Sequence, residues 1–238
     1  MSILSASCSA LIRWRRSLCE AAGIARYSRP ALNDLDRKLE RHLDFAGGFF
    51  VEAGANDGWE QSNTYYFERL RGWSGLLIEP EPGLAARCCV NRRVPVVQAA
   101  LVADDVPGAT VELHFAGLMS TIEGALGDAG ATDRHVRTGL AVQPHIGGLR
   151  RVQVPARTLS SLLDEMKLDR AIDLLSLDVE GAEPAALRGI DFNRHAPRFI
   201  CVEARDEAAI ARVLGKRYTL CEVLTELGTH RDLLYALR

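Results

Sequence analysis

Short apolar runs that end in an acid or a glycine, separated by stretches with helical spacing, set the pattern of this chain. Phe49, Phe50 and Val51 are apolar and β-prone, so they read as a buried strand. Gly54-Ala55-Asn56-Asp57-Gly58 follows, a turn with two glycines and two residues that tolerate a left-handed backbone. Ser62 is placed to cap a helix over Thr64–Leu70. The same alternation continues. Ser74–Pro82 contains a short apolar strand ending at Glu79, Gly83–Asn91 reads as a helix, and Pro95–Val102 reads as one further strand. Val111–Phe115 alternates like an edge strand. Val152–Leu159 is a strand running into a helix at Ser160–Met166, and Ile172–Glu183 is a buried strand that ends in clustered carboxylates and a glycine. Arg198–Ala204 is another apolar strand with an acid at its end, Asp206–Leu214 is helical, and Tyr218–Leu224 and Leu233–Leu237 close the chain around a Gly228-Thr229-His230 turn. Strands alternating with helices predict an α/β fold with a doubly wound sheet.

Two regions depart from that alternation. Leu11–Ala25 and Leu32–His42 have helical periodicity around Ser28-Arg29-Pro30, and Leu32, Leu35, Leu39 and Leu43 form one apolar stripe. Residues 1–45 are therefore expected to form a helical extension that packs on the front of the main domain, residues 46–238, or covers the cofactor. Ala116–Arg150 is rich in Gly, Thr, Asp and His and keeps no sustained period. A long irregular stretch in a compact domain is usually functional or mobile, and it is expected to be a lid or acceptor-binding insertion, with a surface loop as the plain alternative.

The composition narrows the class. A chain of 238 residues suits one α/β domain with additions. A net charge of -2 gives no nucleic-acid footprint. No apolar run reaches the ~20 residues that cross a bilayer. In the N-terminal segment Arg13, Arg15 and Arg16 follow the apolar run, the wrong order for a secretory signal. That Arg-rich, acid-poor start has the makings of a membrane-surface or transit segment, but a solvated or packed helix is the expectation. Cys8, Cys19, Cys88, Cys89, Cys201 and Cys221 form no C-x-x-C and no zinc spacing, so a reducing, cytoplasmic setting is expected.

The chemistry begins at the first turn. A dinucleotide site wants G-x-G-x-x-G at a helix N-terminus facing pyrophosphate. Here the turn is G-x-N-x-G and carries Glu52 and Asp57, carboxylates that repel pyrophosphate and attract a ligand with an ammonium and a sulfonium. S-adenosylmethionine fits that description; a nicotinamide-dependent oxidoreductase is a further alternative, which the absent G-x-G-x-x-G and the acid-lined loop weigh against. Glu79 ends the next strand at about the spacing that places a carboxylate on a ribose, and Ala99–Leu101 would lie near the adenine.

VEAGANDG, SNT, GWSGLLIEPEP, NRR, RTLSSLLDE, IDLLSLDVEGAE with ALRGIDF, and FICVEAR together resemble the FkbM family of S-adenosylmethionine-dependent methyltransferases, from about Phe49 to Arg205. The resemblance implies a class I methyltransferase fold: a seven-stranded sheet with its last strand antiparallel and helices on both faces. It also implies that Glu52, Gly54, Asn56, Asp57 and Gly58 form the methionine-side loop. Ser62 and Asn63 would face the same ligand, Glu79 would hold the ribose, Ala100 would lie by the adenine, and Asp178 would stand between cofactor and acceptor. The expected activity is O-methylation of a hydroxyl on a small molecule or sugar-bearing natural product. N-methylation and a non-catalytic binding protein are the alternatives. As base, Asp178 ranks first and Glu180 second, and His145 stands as the histidine candidate beside His114 and His135. Asp178 and Glu203 form a minority alternative as a magnesium site. A homo-oligomer is left open.

Overall fold

Each apolar run becomes a strand where both faces of the sheet are covered. The computed structural model describes residues 3–104, 109–127, 129–143 and 148–238, without the side chains of 3–10, 129 and 142. In chain order it places α1 (Ile3–Ala21), α2 (Leu35–Glu40), β1 (Phe49–Ala53), α3 (Tyr65–Leu70), β2 (Ser74–Ile78), α4 (Pro82–Asn91), β3 (Val96–Val97), β4 (Ala100–Leu101), β5 (Thr110–Phe115) and β6 (Thr121–Ile122). There follow α5 (Ala129–Val142), β7 (Arg150–Arg157), α6 (Leu159–Glu165), β8 (Leu174–Leu177), α7 (Glu183–Arg188), β9 (Phe199–Ala204), α8 (Glu207–Leu214), β10 (Tyr218–Glu226) and β11 (Arg231–Leu237).

Among the described residues, seven strands form one sheet in the order β3-β2-β1-β8-β9-β11-β10. β1 runs parallel to β2 and β8, β8 runs parallel to β9, and β11 is antiparallel to both β9 and β10. The chain starts in the middle, winds outward to β3, then returns to β8 beside β1. That reversal opens a crevice at the carboxyl ends of β1 and β8, where open α/β sheets bind ligands. The class I methyltransferase topology expected above is the one observed.

Alternation along each strand divides the core in two. Phe49, Val51, Ala53, Leu175, Leu177, Ile200 and Val202 pack with Leu159, Leu162, Leu163, Leu187 and Ile210 from α6, α7 and α8. Phe50, Leu174, Cys201 and Leu234 face the other way, against Leu35, Leu39, Leu43, Tyr66, Phe67 and Cys88. The helices start where the sequence offers caps. Glu81, Thr158 and Asp206 accept backbone N–H bonds from Leu84, Ser161 and Ala209.

Three expectations change. The single strand over Pro95–Val102 is two short ones. β3 pairs with β2 only as far as Ile78, after which the chain leaves the sheet and Ala100–Leu101 pairs with Ala156–Arg157 of β7. β5 is not an edge strand, because it lies between β7 and β6 in a second sheet of order β4-β7-β5-β6. Nor is Ala116–Arg150 irregular throughout, for it contains the 14-residue helix α5. The N-terminal stripe holds better. Leu35, Leu39 and Leu43 are buried in the domain core, but the helical stretch around them is broken by left-handed Asn33 and Asp34 and shortens to α2. No helix among the described residues is long and apolar enough to cross a membrane.

Glu52 faces the same side as Phe50 and is a carboxylate inside a sheet. Arg92, after α4, answers it with a fully buried guanidinium that reaches Glu52 at 3.2 Å and also bonds Glu68, Ser62, Thr64 and the Gly58 carbonyl. Removing one partner of such a cluster strands the others, at a cost of about 3–5 kcal/mol. Arg92→Met is expected to lose that much stability in urea unfolding; a loss under about 1 kcal/mol contradicts the assignment.

Candidate functional site

A cavity of about 540 Å³ opens at the carboxyl edge of the large sheet, within the size range of small-molecule sites. The ends of β1, β2, β4, β8 and β9 form its floor; Leu32 and Leu35 stand on one side and α5 on another.

Most of the residues expected at the methionine-side loop are brought together, in roles the sequence did not separate. The Glu52 carboxylate accepts bonds from Ser62 Oγ at 2.8 Å, Thr64 Oγ1 at 2.6 Å and the Asn63 N–H at 2.8 Å. It lines the cavity, yet its oxygens are spent on the loop. Ser62 in turn accepts the Tyr65 N–H at 3.1 Å, although the N-cap position of α3 is Thr64, whose side chain makes no cap bond. Asn63 lines the cavity and gives its side-chain N–H to Ser176 Oγ at 3.1 Å, while its buried Oδ1 has no partner among the described residues. Gly54 has φ +82°, and a Cβ there would lie 1.8 Å from the Asp178 carbonyl oxygen. Its glycine is demanded by the crossing of the β1 and β8 loops, not by a ligand alone. Asp57 and Gly58 do not line the cavity. Asp57 Oδ1 accepts the N–H groups of Trp59 and Glu60 at 2.9 and 2.8 Å, closing the turn. A Cβ on Gly58 would meet Arg92 and Cys88.

Glu79 is 6% exposed and lines the cavity. Its oxygens accept the Asn56 and Glu81 N–H groups, each at 2.9 Å, and Asn56 reaches it by adopting φ +51°. Burial pushes its pKa up to about 7 against those two bonds. Beside it Ile78, Leu84, Ala100, Leu101 and Leu113 give an apolar wall. An orphaned buried oxygen on Asn63, a buried carboxylate on Glu79 and an apolar slot fit the ammonium, ribose and adenine of the ligand expected from the sequence.

The other end of the cavity is acidic. Oxygens of Asp178, Glu180 and Glu203 lie within 4.8 Å of one another. Arg205 Nη2 sits 2.6 Å from Glu180 Oε2 and 2.7 Å from Glu203 Oε1. His135 on α5 approaches Glu180 at 3.1 Å, and His230, in the β10–β11 turn, approaches Glu203 at 3.5 Å. Asp178 differs from both glutamates. It is crowded by protein yet accessible from the cavity it lines, and its carboxylate has no hydrogen-bond or ion-pair partner among the described residues. Burial, then the charges of Glu203 and Glu180, push its pKa well up. Burial, then Glu180, push Glu203 up to about 8, against the pull of Arg205.

The loop carrying these acids is held from both sides. Glu183, the first residue of α7, accepts the Val179 and Gly181 N–H groups, and Thr121 Oγ1 donates to the Glu180 carbonyl at 2.8 Å. Strand β6 is thus tied to the acidic loop. His145 lies outside the described residues. His135 and His230 are the histidines that reach the acids, and His114 pairs with Glu112 at 3.0 Å instead. The signal for His230 was present in the sequence: a turn joining two closing strands, the second antiparallel to β9, falls at the same rim as the end of β9. Arg205 was legible only as the last residue of FICVEAR, with nothing in the sequence to mark its partners. Arg205 already pairs with two of the three carboxylates, which weighs against the magnesium alternative.

The methyltransferase FkbM domain family matches residues 52–230. No curated protein matches the chain. Among solved structures, a TehB-like SAM-dependent methyltransferase from Corynebacterium glutamicum aligns at 12% identity and TM-score 0.43, covering 98% of this chain and 99% of that one. A human methyltransferase 10 domain containing protein aligns at 12% identity and TM-score 0.45, covering 85% and 81%. A precorrin-6y C5,15-methyltransferase from Geobacter metallireducens aligns at 11% and 0.39, covering 82% of each. At these scores the likenesses add nothing to the strand order.

Two outcomes follow from the site's electrostatics. Glu79→Ala removes a charged acceptor worth about 1.5–3 kcal/mol, so calorimetry is expected to show S-adenosylmethionine binding roughly ten- to a hundredfold more weakly; unchanged affinity contradicts the role. Glu203 holds its proton more tightly folded than at its ordinary value of 4.5, a contribution to stability that is complete below 4.5 and lost as pH rises through about 8. The ligand-free protein is expected to lose stability across that window, and Glu203→Gln to flatten the decline; a variant with the wild-type slope contradicts it.

Proposed function

The chain belongs to the methyltransferase FkbM domain family, whose cofactor is S-adenosylmethionine, and we propose that it transfers the methyl group to a hydroxyl of a small molecule, with Asp178 as the base. The observation that carries this reading is the difference between Asp178 and its neighbours. Glu180 and Glu203 are tied to one guanidinium, whereas Asp178 faces the cavity with no partner among the described residues and a raised proton affinity.

The bound cofactor supplies a methyl group already activated by the sulfonium charge. The chain's residues then have three tasks. Glu79, Asn63 and the apolar wall align the donor so that its methyl faces the acidic end, and alignment of two reactants can supply about 7–11 kcal/mol of a barrier. The acids at that end favour the cationic donor over its neutral product. Asp178 takes the proton that an alcohol must lose as its oxygen attacks the methyl carbon and the C–S bond electrons return to sulfur. A carboxylate with raised proton affinity is a better base near neutral pH than an ordinary one. An amine acceptor that arrives neutral needs less of that help, which is why the tuned carboxylate favours oxygen. The concentration of acids also favours a neutral acceptor, such as a polyol, over an anionic one.

Asp178→Asn is near-isosteric and keeps the Gly54 crossing, which uses only the backbone carbonyl of residue 178. It is expected to lower turnover by about 10²–10⁴ with S-adenosylmethionine affinity near wild type, measured as S-adenosylhomocysteine release over a panel of hydroxylated acceptors. Turnover within a few-fold of wild type, or transfer of a ¹³C-labelled methyl to nitrogen instead of oxygen, overturns the reading.

A further inference from the structure

The first helix is docked with its polar face inward. The Arg16 side chain is buried, its guanidinium 5.0 Å from the Trp59 ring centre and 5.1 Å from that of Tyr65, and it lies 3.8 Å from Glu20. Glu20 takes bonds from Ser28 at 2.8 Å, Tyr65 at 3.0 Å and Arg69 at 2.8 Å. The opposite face carries Leu11, Trp14 and Leu18, spaced three and four residues apart and therefore on one stripe. They are 56%, 60% and 51% exposed. An amphipathic helix normally turns its apolar stripe to the core, and here that stripe looks out.

The charge around the stripe says what suits it. Arg13 and Arg15 are exposed on either side, and Arg26 is exposed nearby, its guanidinium 5.4 Å from the centre of the Tyr27 ring that Arg15 also meets. Between Leu11 and Asn33 the one acid is Glu20, with a side chain 5% exposed and already paired. A second copy laid face to face would set these guanidiniums against each other with no exposed acid on the helix to answer them. A flat anionic surface with an apolar interior meets both features at once. A helix with Trp and Leu on one face, cations beside them and no net apolar excess is the kind that lies in a membrane interface.

We infer that α1 docks this enzyme onto anionic lipid, with Leu11, Trp14 and Leu18 entering the headgroup boundary and Arg13, Arg15 and Arg26 on the lipid phosphates. This places the protein on a membrane surface without spanning it. The cavity takes no part in the docking, so failure of this inference leaves the catalytic reading standing, and the converse also holds.

The experiment is sedimentation of the full chain with vesicles of phosphatidylcholine and phosphatidylglycerol in equal parts, and with phosphatidylcholine alone. The wild type is expected to sediment with the anionic vesicles, to shift its tryptophan emission to the blue, and to be released by high salt. Trp14→Glu with Leu18→Glu is expected to abolish binding with unfolding temperature unchanged, since both side chains are more than half exposed. Arg13→Gln with Arg15→Gln keeps the apolar stripe intact and gives an independent reading. At about fivefold per arginine, it is expected to weaken binding about 25-fold. Three results overturn the inference: a wild type that stays in the supernatant, variants of both kinds that bind like wild type, or a lipid-free dimer that the double glutamate variant dissolves.

Discussion

A carboxylate on the inner strand of a sheet covered on both faces must be paired, and in this protein the pairing of Glu52 shapes everything at the sheet's carboxyl edge. An unpaired charge there costs several kcal/mol. Ser62, Asn63 and Thr64 fold back from the start of α3 to meet it, and Arg92 reaches in from the end of α4. The loop from Gly54 to Thr64 is thereby held at both ends. One consequence is that Asn63 is turned to the cavity with an unpartnered oxygen. Another is that Asn56 is bent far enough to give its N–H to Glu79. The acid nearest the first glycine thus shapes the cavity through the loop it organises.

The two ends of the cavity are built on opposite uses of charge. At the Glu79 end the carboxylate is steadied by backbone N–H groups and bordered by aliphatic side chains. At the other end several acids crowd together and only some are compensated. Arg205 answers Glu180 and Glu203. Asp178 is left to carry the repulsion of both, which raises its hold on a proton. Tethers from Glu183 and Thr121 keep the acidic loop from relaxing outward. Thr121 belongs to β6, so the segment that follows β5 is bonded directly to the loop that carries the acids.

The parts legible in the sequence were those fixed by local pattern. Phe49–Val51, Leu76–Ile78, Leu174–Leu177 and Phe199–Val202 are short, largely apolar runs whose length and flanking residues read as core strands, and acids or glycines at their ends marked one rim. Partners distant in sequence were not legible. Arg92 is forty residues from Glu52, and no period connects them. Arg205 follows a strand end like any solvated arginine would. Helix α5 was hidden by its own composition: Gly130, Gly139, Thr132 and Thr138 are poor helix formers, and the burial of Val136 and Thr132 that secures it comes from packing. Asp57 and Gly58 looked like part of a ligand loop because turn-making and ligand-binding call for the same residue types. Only the geometry separates a carboxylate that closes a turn from one that faces a cavity.

The central claim is that one cradle, from Asn63 and Glu79 at one end to Asp178 at the other, holds the adenosyl donor with its reacting centre toward the free carboxylate. A crystal structure with S-adenosylhomocysteine bound tests it most directly. The account predicts ribose hydroxyls on Glu79, the amino acid portion at Asn63, and the sulfur facing Asp178. A nucleoside bound away from Glu79, or a sulfur turned from Asp178 toward the protein's exterior, would contradict it.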